Sequence, residues 1–105
     1  MKRVEKTKEL VAAVAKKKSV VLFHATWCPF CRAFLPAFEE ATKGSKLEVI
    51  EAVVDDEDNP LWTEHAIELV PTVIFFENGK PVKRLDGRMG VGLTREEIVA
   101  ALAEA

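Results

Sequence analysis

The chain carries two cysteines, Cys28 and Cys31, separated by Pro29 and Phe30. Two cysteines placed at random in a chain of this length fall three apart only about one time in fifty, so the spacing asks for a chemical reason. A disulfide framework of the small secreted kind needs more than two cysteines. A bridge across so short a loop also constrains the unfolded chain little. Redox chemistry or metal binding remains. A structural metal site wants four ligands, and His24 and His65 are the only imidazoles available. Thiol–disulfide exchange needs only the pair: one thiolate attacks a substrate disulfide, and the second thiol displaces the substrate from the mixed disulfide.

Such a pair must be held by the elements around it. Ser19 to Ala25 contains the unbroken apolar run Val20-Val21-Leu22-Phe23, which reads as a strand buried on both faces. Pro29 suits the first turn of a helix that runs to about Lys43 and stops at Gly44, with Pro36 kinking its interior. Cys28 therefore lies where a buried strand ends and a helix begins. There the helix dipole and free backbone N–H groups favour a thiolate. Cys28 is expected to be the exposed nucleophile, with Cys31 the inward resolving thiol one turn on.

The remaining elements follow from the same signals. Lys2 to Lys17 reads as a helix with Val4, Leu10, Val11, Val14 and Ala15 on one stripe. Leu47 to Val54 is a second buried strand, and Asp55-Asp56-Glu57-Asp58 a solvated acidic loop. Asn59-Pro60 opens a short helix through Leu69. Thr72 to Phe76 is a third strand, and Asn78-Gly79 turns it into an antiparallel strand from Pro81 to Leu85. Thr94-Arg95-Glu96-Glu97 is a capping box opening a last helix with Ile98, Val99 and Leu102 facing the core. The order α-β-α-β-α-β-β-α gives an α/β fold: a mixed four-stranded sheet flanked by helices on both faces.

Composition narrows the partners. The 105 residues read as a single domain, 1–105, with 49% hydrophobic and 30% charged residues. A net charge of −2 excludes the basic footprint of a nucleic-acid binder or a polybasic membrane binder. No apolar run is long enough to span a bilayer. The N-terminus has basic residues but no apolar signal segment, so a cytoplasmic protein is expected.

Trp27-Cys28-Pro29-Phe30-Cys31 resembles the Trp-Cys-x-x-Cys site of the thioredoxin family. Pro36, five residues after Cys31, resembles that family's helix-kinking proline. Val70-Pro71-Thr72 is similar to its cis-proline segment, and Phe75-Phe76-x-Asn78-Gly79-Lys80 to its hairpin. Gly87 matches the glycine at the end of its last strand. The resemblance covers nearly the whole chain. It implies a thioredoxin fold and a monomeric thiol–disulfide oxidoreductase with Cys28 attacking and Cys31 resolving. It also implies that Trp27, Pro29, Phe30, Val70, Pro71, Thr72 and Gly87 form the docking surface for an extended substrate peptide. No cofactor is implied beyond the redox-active pair. The implied partners are disulfide-containing proteins and a thioredoxin-reductase-type or other dithiol recycling partner. Alternative readings are a disulfide oxidase or isomerase, a glutaredoxin-like reductant, a metal or cluster carrier, and a non-catalytic adaptor.

Two departures stand out. The family's buried Asp, six residues before the first cysteine, is Leu22 here. Its companion lysine, counted back from Asn59-Pro60, falls on Val53. With no buried base evident, water, Glu51 or His24 is left to take the proton of Cys31. His24 otherwise reads as a packed strand residue and His65 as a helix-surface residue. The dipeptide Pro29-Phe30 departs from the usual Gly-Pro and resembles that of glutaredoxins.

Overall fold

The computed structural model describes residues 1–105. In chain order the elements are β1 (Lys2–Val4), α1 (Thr7–Val14), β2 (Lys18–His24), α2 (Pro29–Thr42), β3 (Glu48–Val53), α3 (Leu61–Glu64), β4 (Thr72–Glu77), β5 (Lys80–Leu85) and α4 (Arg95–Glu104). The sheet runs β1-β3-β2-β4-β5. β1, β3 and β2 are parallel, while β4 runs antiparallel to β2 and β5 antiparallel to β4.

Alternation along the strands divides the core into two layers. Val21, Phe23 and Ala25 of the β2 region, with Ile50, Ala52 and Ile74, face Leu10 and Val14 of α1 and Leu61 of α3. Val20 and Leu22, with Val73 and Phe75, face Phe34 and Phe38 of α2 and Ile98 and Ala101 of α4. Each such side chain taken from water contributes about 1.5–3 kcal/mol. The continuous apolar run of β2 thus buries the central strand and sets Cys28 just beyond that strand's end.

The α/β class and the flanking helices agree with the sequence reading, but the sheet has five strands where four were expected. Lys2–Val4 pairs with Ile50–Ala52 instead of opening a helix, which buries Val4 against β3. The helix starts at Thr7, where the Glu9 carboxylate accepts the N–H groups of Glu5 and Lys6. Leu10 and Val14 are buried, but Val11 and Ala15 face solvent. In α4 Ile98 and Ala101 are buried and Leu102 packs half-buried against the same layer, while Val99 points out. The third helix ends at Glu64, not Leu69.

Candidate active site

Cys28 is the N-cap of α2, with extended backbone (φ −91°, ψ 117°). Its Sγ accepts the Cys31 N–H at 3.3 Å and its thiol faces the Val70 carbonyl at 3.5 Å. An N-cap acceptor satisfies one of the helix's orphan amides. Pro29 follows at the first helical position, where its missing N–H costs no hydrogen bond. Both cysteines are free thiols. Cys28 is less open than the sequence suggested, with 5% of its surface exposed against 1% for Cys31. Its protection comes from the Val70-Pro71 segment packed beside it.

Burial pushes the Cys31 thiol up to about 12, and its hydrogen bond to the Cys28 sulfur adds to this; the Ala25 amide works in the opposite direction. Two neighbouring thiols are therefore held differently: one sulfur receives a helix N-terminal amide, and the other is enclosed and reluctant to ionise.

The Val70–Pro71 peptide bond is cis. Pro71 is buried, and its carbonyl is approached so closely by Gly87 that a β-carbon there would lie 2.3 Å from the oxygen. Thr72, expected on the docking surface, is buried instead. Its hydroxyl donates to the Leu69 carbonyl at 2.7 Å, bracing the loop from inside. Trp27 is 51% exposed, and its indole N–H donates to the Asp55 carbonyl at 2.9 Å. Asp55 is itself tied to Thr26, accepting its hydroxyl at 2.6 Å and its amide at 2.7 Å. Those two bonds hold its carboxyl below the usual carboxylate range. The first residue of the acidic run thus braces the Trp27 loop.

Several site residues were not singled out from sequence. Gly92 (φ +72°) is buried against Phe30: a β-carbon there would lie 2.9 Å from the Phe30 Cβ and 3.4 Å from Pro71 Cδ. The loop it closes, Arg88 to Gly92, carries Met89 at 84% exposure and the exposed Val91. With Trp27, Phe30 and Leu69 these give the cysteine end of the molecule most of its exposed large apolar side chains. The close glycines Gly90 and Gly92 were the available signal for a tight turn.

Strand register shows what surrounds the two proton-handling positions. Leu22 pairs with Glu51, and Val53 pairs with His24. Asp in place of Leu22 would therefore meet a carboxylate. His24 is buried, with Nε2 3.0 Å from Glu51 Oε2. His65, expected on a helix surface, is half-buried between Phe23 and Phe76, with ring centroids 5.2 and 5.9 Å away. No group of three His, Cys, Asp or Glu side chains is arranged to hold a metal ion.

The family model described as Thioredoxin matches residues 2–104. The chain belongs to the thioredoxin family. It is 39% identical over 98 residues to Thioredoxin H3 of Arabidopsis thaliana, covering 91% of this chain and 78% of that one. It is 37% identical over 91 residues to the thioredoxin of Mycolicibacterium smegmatis, covering 84% and 81%. Among solved structures it resembles Malassezia sympodialis thioredoxin with a TM-score of 0.82 and 26% identity over 99% of this chain and 89% of that one. Plasmodium falciparum thioredoxin shares the fold with a TM-score of 0.84 over 99% and 98% of the two chains. Like the rest of the family, the chain is a thiol–disulfide oxidoreductase.

Proposed function

We propose that the chain reduces protein disulfides, with Cys28 as the attacking thiol and Cys31 as the resolving thiol. The observation that carries this reading is the unequal treatment of the two sulfurs. Cys28 Sγ takes the Cys31 amide at the helix N-terminus, while Cys31 is enclosed behind it. Cys28 attacks the substrate S–S bond and one substrate sulfur leaves. Cys31 then attacks the Cys28 sulfur, forming the Cys28–Cys31 disulfide and releasing the second substrate sulfur as a thiolate. Two electrons pass from the dithiol to the substrate, and no cofactor takes part.

Trp27, Phe30 and the exposed side chains of the Arg88–Gly92 loop supply an apolar surface around the sulfurs, with the buried Pro71 beneath it. An extended segment laid against the Val70 backbone would present its cystine to Cys28. Pro29, Val70 and Gly87 shape that surface, and Thr72 supports it from below. The oxidised pair needs a recycling reductase. The Mycobacterium leprae relative named bifunctional thioredoxin reductase/thioredoxin supports such a partner, as does the solved complex of ferredoxin:thioredoxin reductase with thioredoxin f2. A reducing compartment such as the cytoplasm is the setting in which such a reductant works. Reduction of insulin disulfides with dithiothreitol as electron donor tests the reading. Acceleration that disappears in Cys28→Ser is expected, and a rate equal to dithiothreitol alone overturns it.

A further inference from the structure

The chain turns sharply where α3 gives way to the loop that faces Cys28. α3 ends at Glu64, and Ala66 takes the left-handed conformation (φ +51°), which residues other than glycine rarely adopt. Further along the same loop, the Val70 carbonyl faces the Cys28 sulfur. The direction the chain takes at Ala66 therefore bears on where the substrate-facing backbone of Val70 lies.

The His65 and Ala66 carbonyls mark this turn, and neither receives a backbone N–H. A side chain takes that place, as it must where a helix end leaves carbonyls unmatched. Arg84 of β5 donates from Nη1 to the His65 carbonyl at 2.9 Å and from Nη2 to the Ala66 carbonyl at 3.1 Å. Its other edge is held by Asp86, whose carboxylate accepts Nη2 at 2.7 Å and Nε at 3.1 Å. Asp86 directly precedes Gly87, the residue packed against the Pro71 carbonyl. One planar guanidinium thus joins the start of the loop to the segment that supports its far side.

The other attachments of the loop lie inward. Ile67 and Val70 are buried, Thr72 holds the Leu69 carbonyl from within, and Glu68 and Leu69 face solvent. The Arg84 side chain is 36% exposed, so its ion pair with Asp86 contributes little by itself. Its weight lies in geometry, because a rigid fork fixes two carbonyls at once. A lysine there would be a point charge on a flexible stem and could not span both.

We propose that Arg84, oriented by Asp86, is a positioning residue for the substrate: by pinning the turn at Ala66 it preorganises the Val70–Pro71 backbone. A substrate segment then meets backbone already in place and does not have to order it on binding. This rests on the docking of an extended segment along Val70 described above. The polar partners of Arg84 are His65, Ala66 and Asp86, so it acts on docking and leaves the exchange between sulfurs alone.

The test compares the unsubstituted protein with Arg84→Ala and Arg84→Lys on two disulfides. With insulin as substrate and excess dithiothreitol, KM should rise about fivefold or more in both variants, while kcat stays within about twofold. The stopped-flow rate of the reduced proteins with 5,5′-dithiobis(2-nitrobenzoate), too small to lie along the loop, should also stay within about twofold. A KM raised in Arg84→Ala but restored in Arg84→Lys would show that charge suffices, and overturns the proposal. An unchanged insulin KM in either variant overturns it too, as does equal slowing with both disulfides, which would place the effect at the sulfurs. Should Arg84→Ala fail to melt cooperatively, Arg84→Lys decides by its insulin KM and its small-disulfide rate. An active unsubstituted protein whose KM ignores Arg84 sinks this proposal alone. Insulin reduction no faster than by dithiothreitol alone sinks the reductase reading, and the proposal with it.

Discussion

Gly87 lies against the backbone of Pro71 with no room for a side chain: a β-carbon would come within 2.3 Å of the Pro71 carbonyl oxygen. The two residues belong to segments far apart in sequence, and their approach holds the substrate-facing loop against the end of β5. Because the obstructing atom is backbone, no side-chain rotation relieves it. Gly87→Ala should cost about 2 kcal/mol or more, lowering Tm by roughly 10 °C. It should also reduce kcat/KM for a protein disulfide. A variant that melts with the unsubstituted protein would show that the loop yields freely.

The unequal cysteines make an asymmetric trapping experiment. Cys31→Ser leaves Cys28 free to attack but removes the resolving thiol, so covalent Cys28–substrate complexes should accumulate and disappear on reduction. Cys28→Ser should form few, because the remaining thiol is enclosed and poorly ionised. Non-reducing gels and mass spectrometry of the linked peptides check this. Equal trapping by both variants would reverse the assignment.

His65 gives a pH dependence of stability. Burial between Phe23 and Phe76 lowers its pKa, opposed by Glu64 and assisted by Arg84. The unfolded chain therefore binds this proton more readily than the folded one, so the imidazole destabilises the fold as pH falls. The loss begins near the ordinary histidine range, about pH 6.5, and levels off below the lowered folded value. His65→Phe keeps the aromatic contacts without the titration. Its Tm should fall less between about pH 7.5 and 5 than that of the unsubstituted protein, as thermal melts at a series of pH values would show.

Met89 and Val91 project from the loop that Gly92 anchors against Phe30. Replacing both with serine removes apolar surface without touching the sulfurs. KM for a folded protein disulfide should rise by about three- to tenfold, corresponding to about 1 kcal/mol of lost contact. The rate with a small aromatic disulfide should stay unchanged. If both substrates weaken together, the loop acts on the cysteines and not on docking.

Most of the fold was legible because its signals are local. The apolar run Val20–Phe23, the Asn78-Gly79 turn and the Thr94–Glu97 capping box each locate an element without knowledge of the rest. The cysteine pair was legible for the same reason, since strand end and helix start flank it in sequence. What failed was set by tertiary pairing. Lys2–Val4 becomes a strand only because β3 offers a free edge. The pairing of Leu22 with Glu51 and of His24 with Val53 is a register that neither strand carries in its own sequence. Thr72 reads as part of the docking segment, yet its hydroxyl turns inward to Leu69. The approach of Gly92 to Phe30 joins residues sixty-two positions apart and leaves no mark in either segment beyond a glycine.

The sulfur that attacks is also the sulfur that caps its helix. Each catalytic cycle therefore borrows a structural element: when Cys28 Sγ enters a covalent bond it becomes a weaker acceptor, and the Cys31 amide loses part of its partner. The dithiol is the better-capped form. If the whole of a cap worth about 1 kcal/mol were surrendered on oxidation, a two-electron couple would shift by about 20 mV toward the oxidising side. The reducing power of the protein is thus set partly by how α2 begins, so substitutions at Pro29 and Phe30 can retune it without touching either sulfur.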